Sequence, residues 1–212
     1  CAAGVIRVLR NHKAAASETT PVSPFSWSGF LSEVFGQSKV RQTGAGKMHA
    51  ALFWGFILLF LGTATATLDW DVGHYLFGEQ FLKGRIYLTY KLILDVAGAA
   101  VLLGLAFAAC RRYVFHDPRV EANARFAYLL ASLAAIILTG FFTEALRLAA
   151  TAPAWRTFSP VGNLLSQLFS GFDAESLKTL HIFVWVIHGL ASLAFIAALP
   201  LTYYSQLFKT PL

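Results

Sequence analysis

Residues 178–201 read KTLHIFVWVIHGLASLAFIAALPL. After Lys178, His181 and His188 are the only ionisable side chains in this stretch. About 20 mostly apolar residues suffice for a helix to cross a bilayer, so the stretch predicts a membrane-spanning helix. Seven residues make two helical turns, which places His181 and His188 on one face. An ionisable side chain in hydrocarbon is costly and faces a bundle interior or a bound group rather than lipid. Neutral imidazole is a standard axial ligand of haem iron. Hydrogen bonding between helices is the other use such histidines have.

Three further windows have the same character, near Met48–Thr67, Ile86–Ala109 and Phe126–Ala150. These long runs lack the period-two alternation of barrel strands, and bilayers admit only helices and closed barrels. Of the 212 residues, 57% are hydrophobic and 13% charged, which excludes an ordinary soluble domain. The expected fold is an all-α integral membrane bundle of four full transmembrane helices. The opening CAAGVIRVLR reads as the last turns of a fifth, spanning residues 1–10. On that reading the chain continues upstream of Cys1. A lipidated start at Cys1 is the other reading.

The net charge of +6 follows membrane topology and is not a nucleic-acid signal. Arg111, Arg112, Arg119 and Arg125 lie between the second and third windows, and Arg7, Arg10, Lys13, Lys39, Arg41 and Lys47 precede the first. Four spans put both groups on one side, which the positive-inside rule makes cytoplasmic together with the C-terminus. Residues 11–46 read as a connector on that side. FSWSGFLSEVFGQSK, residues 25–39, is a candidate interfacial helix within it, and 47–212 form the bundle. Residues 68–85 and 151–177 read as loops on the opposite side, the second with a short surface helix in VGNLLSQLFSGF.

His188, well inside its helix, is the first candidate ligand, and His49, at the head of the Met48 helix, is the second. His181 is either another ligand or a loop-facing polar residue. His74 is a lesser candidate in the 68–85 loop, and His12 and His116 read as solvated. A His49–His188 pairing requires the last helix to begin before Lys178. Gly55 and Gly62 share a face that suits either a flat macrocycle or close helix packing. Lys91 and Asp95, one turn apart in the second window, read as an ion pair anchoring the bundle or as a proton path to quinone. Glu144 and Arg147 line the membrane surface or meet a haem propionate or quinone head group. Two cysteines, Cys1 and Cys110, cannot hold a four-cysteine iron–sulfur cluster.

Several stretches together carry a resemblance over most of residues 34–212. They are VFGQSK, MHAALFWGFILLFLGT and LILDVAGAAVLLGLAFAACRRYVFHDPRVE, then LTGFFTEALRLAAT, PAWRTFSPVG and HIFVWVIHGLASLAFIAALPLTYYSQLFKTPL. In order and spacing they resemble the membrane cytochrome b module of heterodisulfide reductase-related proteins. That group includes electron-transfer-flavoprotein:menaquinone oxidoreductases and is related to the gamma subunit of respiratory nitrate reductase. The resemblance implies a five-helix bundle in a prokaryotic cytoplasmic membrane. It implies one or two b haems, with His49, His188 and often His181 matching family histidines, and electron transfer between menaquinone and an iron–sulfur partner on the cytoplasmic side. Gln206 stands where the family commonly has a histidine, which puts one haem site in doubt. The rival expectation is a non-catalytic membrane subunit derived from such a cytochrome. A transporter is disfavoured, since there is no internal repeat and no pair of Gly/Pro-broken helices.

Overall fold

The computed structural model describes residues 26–31, 44–116 and 124–198, and among these every regular element is helical. The elements are α1 (Trp27–Leu31), α2 (Gly44–Thr67), α3 (Gly84–Ala109), α4 (Ala124–Thr151), α5 (Pro160–Ser166) and α6 (Ala174–Ala198). With their extensions, α2, α3, α4 and α6 are long and apolar enough to cross a membrane. They coincide with the four apolar windows of the sequence. α6 begins at Ala174, ahead of Lys178. The expected helix remnant at 1–10, the position of Gln206 and most of the 11–46 connector lie outside the described residues. α1 falls within the 25–39 stretch, and Ser26 Oγ accepts the amide of Gly29 at 3.3 Å ahead of it.

Two helices run further than expected. α2 continues as a wider π-helix over Leu68–His74 and a last turn at Tyr75–Phe77, where the sequence suggests a loop. Gly78, in the left-handed region at φ 69°, ends it. The buried Asp69 carboxylate explains the fold-back, because it accepts the amides of Phe81 (2.6 Å) and Leu82 (2.8 Å). Trp70 and His74 stack at 4.7 Å along this extension. α3 likewise continues as a π-helix over Cys110–Val114.

The chain divides into two units, residues 1–50 with 190–212, and residues 51–189. In the second unit α3 is the central strut, and small residues let its neighbours approach. Val101 fills the space left by the missing Cβ of Gly55, and Leu94 does the same at Gly62. Leu52 of α2 reaches 2.6 Å from where a Cβ on Gly104 would stand. Gly55 and Gly62 therefore serve helix packing, one of the two uses the sequence allows. The Tyr90 hydroxyl donates to the Gly62 carbonyl at 2.6 Å, adding a polar tie between α2 and α3. On the other side Phe141 of α4 presses on Gly98, its Cζ 2.8 Å from a would-be Cβ. The Arg112 guanidinium lies over Phe126 at 4.3 Å and ties the far ends of α3 and α4. Large apolar side chains such as Leu103 and Phe107 remain exposed, as lipid-facing residues do.

Two measurements check this packing. Gly98→Val forces a branched side chain into the buried Phe141 ring and is expected to cost about 1–3 kcal/mol, read as a lowered thermal midpoint in detergent. At the start of α6, Asp173 Oδ1 accepts the amides of Glu175 (3.1 Å) and Ser176 (2.9 Å), and Oδ2 accepts the Ser176 hydroxyl (2.6 Å). The Ser176 hydroxyl first, and then the amides, hold the Asp173 carboxyl below its ordinary range. The cap is therefore fully present above the ordinary carboxylate pKa and is lost as pH falls through the lowered one. Amide exchange at Glu175 and Ser176 should accelerate across that acidic window, and Asp173→Asn should remove the pH dependence.

Candidate functional site

A cluster of four charged side chains occupies the interior between α3 and α4. Lys91 and Asp95 extend from α3, Glu144 and Arg147 from α4. Lys91 Nζ is 2.7 Å from Glu144 Oε2. Arg147 grips the same carboxylate, with Nη2 donating at 2.8 and 3.0 Å and Nε at 3.2 Å. Ser159, fully buried, donates its hydroxyl to Glu144 Oε1 at 3.2 Å. Asp95 is 6% exposed and does not pair with Lys91 as the sequence suggests. Its two oxygens accept the amides of Val161 (2.8 Å) and Gly162 (3.0 Å) instead.

Those amides open α5, so the segment read as a surface helix enters the bundle at its N-terminal end. Asp95 lies about 16 Å along α3 from Gly84, at 1.5 Å per residue. Irregular backbone at such depth persists only where protein groups satisfy it. Pro160 lacks an amide to satisfy, and Asp95 takes the next two. Gly162 is required by the close approach: a Cβ there would meet Glu144 Cγ at 2.9 Å and Asp95 Oδ1 at 3.4 Å. Ala152, at φ 39°, turns the chain sharply after α4 and starts the return. Trp155 then covers the cluster, 5.0 Å from the Arg147 guanidinium and edge-on to Tyr87 at 5.1 Å.

Two cations and two anions balance here, and every carboxylate oxygen has a partner. Such an arrangement fixes position. Arg147 is engaged by Glu144 and Trp155, which differs from an open Arg waiting for a propionate. Glu144→Ala is expected to lower stability by roughly 3–5 kcal/mol, because it strands Lys91 and Arg147. Lys83→Ala, which removes an exposed 3.9 Å pair with Glu79, should change it by less than about 1 kcal/mol. Thermal unfolding of the two variants separates the buried pair from the surface one.

The histidines use a different device. His188 Nδ1 lies 3.0 Å from the carbonyl of Ile136 and 3.1 Å from Thr139 Oγ1, and its ring packs against Gly140. His181 Nδ1 lies 3.0 Å from the carbonyl of Thr143. A carbonyl only accepts, so both rings carry hydrogen on Nδ1 and leave the Nε2 lone pair available. A backbone partner on the far nitrogen is how ligating histidines are oriented. The donor set therefore fits axial ligation of haem iron. The two rings are about 10 Å apart along α6, so they cannot ligate one iron together.

His49 is exposed and belongs to the first unit, on α2. His74 is engaged in the stack with Trp70 and the edge of Tyr75. His116 Nδ1 turns back to the Val114 carbonyl at 3.0 Å, and His12 lies outside the described residues. Among the described residues no three His, Cys, Asp or Glu side chains converge on a metal site. Sequence reasoning missed Ser159 and Gly162. The signal for both was the tetrad Ser-Pro-Val-Gly, a helix start with Pro at its first position and a residue without Cβ two places on.

No family model matches the chain and no solved structure matches it. It is 30% identical over 197 residues to the EtfAB:quinone oxidoreductase of Syntrophomonas wolfei subsp. wolfei. The match covers 88% of this chain and 27% of that protein. The chain thus spans about a quarter of the relative's length, and that portion is similar to part of a quinone oxidoreductase.

Proposed function

We propose that this chain is a membrane-embedded b-type cytochrome subunit that relays electrons between the quinone pool and an iron–sulfur partner. The observation that carries the reading is the orientation of His188 and His181. Each is half-buried, held at Nδ1 by a backbone carbonyl of α4, and left with Nε2 as a ligand atom. The similarity to part of a quinone oxidoreductase supports the quinone as substrate, of which menaquinone is one.

On this reading His188 is the first candidate ligand of haem b, His49 the second, and His181 a further one. Bound haem supplies one-electron chemistry between ferric and ferrous iron, at a potential set by ligands and burial. The protein's part is to fix the imidazoles and to keep the site dry. Thr139 aids this by standing beside His188 Nδ1 while its hydroxyl donates to the carbonyls of Ala135 and Ile136 at 2.9 Å. The Lys91–Glu144–Arg147 cluster with Asp95 holds α5 in place and is assigned no proton step. The membrane is a prokaryotic cytoplasmic one, with the Arg111 end of α3 towards the cytoplasm and the iron–sulfur partner on that side.

A dithionite-reduced minus oxidised spectrum of the purified protein, with pyridine haemochrome quantification, tests this. The expected result is a b-type signal that His188→Ala abolishes. Thr139→Val should retain the fold and weaken haem retention, by 10- to 100-fold in affinity at the scale known for such outer partners. A folded protein with no haem under any preparation would sink the reading. It would favour the non-catalytic subunit, which the internally neutralised charge cluster is equally able to hold together.

A further inference from the structure

A groove of about 520 Å³ runs between α2 and α3, and neither the four side chains of the charge cluster nor the histidines line it. Its lower part is lined by Leu58, Leu61, Ile93 and Leu94, and its upper end by Arg85. Leu58, Leu61, Ile86 and Ile93 are all exposed along its open side. Three hydroxyl side chains line it, Thr65, Thr89 and Tyr90, and two of them are satisfied by backbone carbonyls: Thr65 donates to that of Leu61 at 2.7 Å and Tyr90 to that of Gly62 at 2.6 Å. Below Arg85 the groove is thus largely apolar, with Thr89 on its wall. From Arg85 to Leu94 it extends about 13 Å along the helix, close to the roughly 15 Å depth of one leaflet's hydrocarbon.

Arg85 is exposed at the first turn of α3, and among the described residues it has no acidic partner. The nearby Glu79 is turned to Lys83. A free guanidinium at headgroup depth presents a planar fork that matches a phosphate. A quinone carbonyl can accept a hydrogen bond from that guanidinium but offers no anion to neutralise it.

We propose that this groove is a binding site for an anionic phospholipid, with the phosphate on Arg85 and one acyl chain laid along Leu61, Leu58, Ile93 and Leu94. Charge complementarity at one end and an apolar channel of leaflet length below it select this occupant over a quinone. The site is independent of whether the chain carries haem.

Native mass spectrometry of the delipidated full chain, titrated with phosphatidylglycerol or phosphatidylcholine, tests the proposal. The wild type should bind its first phosphatidylglycerol about five-fold more tightly than phosphatidylcholine, the factor that one Arg–lipid contact supplies. Arg85→Gln should abolish the preference and Arg85→Lys should keep most of it. Leu58→Trp, which fills the channel, should weaken both lipids. Arg112→Gln, at the opposite end of the helix, should leave the preference intact. Equal binding of the two lipids by the wild type, or an unchanged preference in Arg85→Gln, would overturn the site. Displacement by inorganic phosphate alone would make it a free-anion site, and displacement by a short-chain quinone with no effect of Arg85→Gln would make it a quinone site. Either result removes the phospholipid.

Discussion

The carboxylate of Glu144 is the point on which the second unit depends. It accepts from Lys91, Arg147 and Ser159, and so joins α3, α4 and the segment that returns from α4. A bilayer interior offers no water to a stray charge or amide. Each polar group there must find its partner within the protein, and the partners are few enough to fix the arrangement. Asp95 extends the same logic to backbone, since it receives the amides that α5 would otherwise leave bare. Packing through glycine then brings the helices close enough for these contacts to form.

The four spans were legible because hydropathy is a local property, visible in any window of 20 residues. The paired face of His181 and His188 was legible because helical periodicity fixes it. The entry of α5 was not. Its anchors, Asp95 and Glu144, are 67 and 15 residues from the groups they bind, and a Pro-Gly segment between two spans reads as surface loop on composition alone. Lys91 and Asp95 suggested a pair because they lie one turn apart. Longer-range partners won, Glu144 for the ammonium and two amides for the carboxylate. The extension of α2 past Thr67 was hidden for a similar reason: residues 68–85 read as a loop, yet Asp69 is buried and tied to Phe81 and Leu82.

The histidines illustrate how far pattern can go. Spacing gave the face they share, while their chemistry depends on which nitrogen is engaged. That is set by the carbonyls of Ile136 and Thr143, atoms that no side-chain pattern reveals. α4 thus has two roles. Its Glu144 end holds the return segment, and its middle orients the imidazoles of α6.

The distance in sequence between Asp95 and Val161 has a consequence for biosynthesis. During synthesis α3 reaches the membrane before α5 exists, with Lys91 and Asp95 both unmatched. A Lys and an Asp at the centre of a helix oppose insertion by roughly 5–7 kcal/mol together, a ceiling here because Lys91 stands nearer the start of α3, and Leu, Ile, Val or Phe each favour it by about 0.3–0.6. The Leu, Ile, Val and Phe residues in IYLTYKLILDVAGAAVLLGLAF offset most of that penalty and little more. Residence of α3 in the bilayer is therefore close to balanced until α4 and residues 160–162 have been made. Commitment of this helix to the membrane is a late event, coupled to completion of a segment some 70 residues downstream.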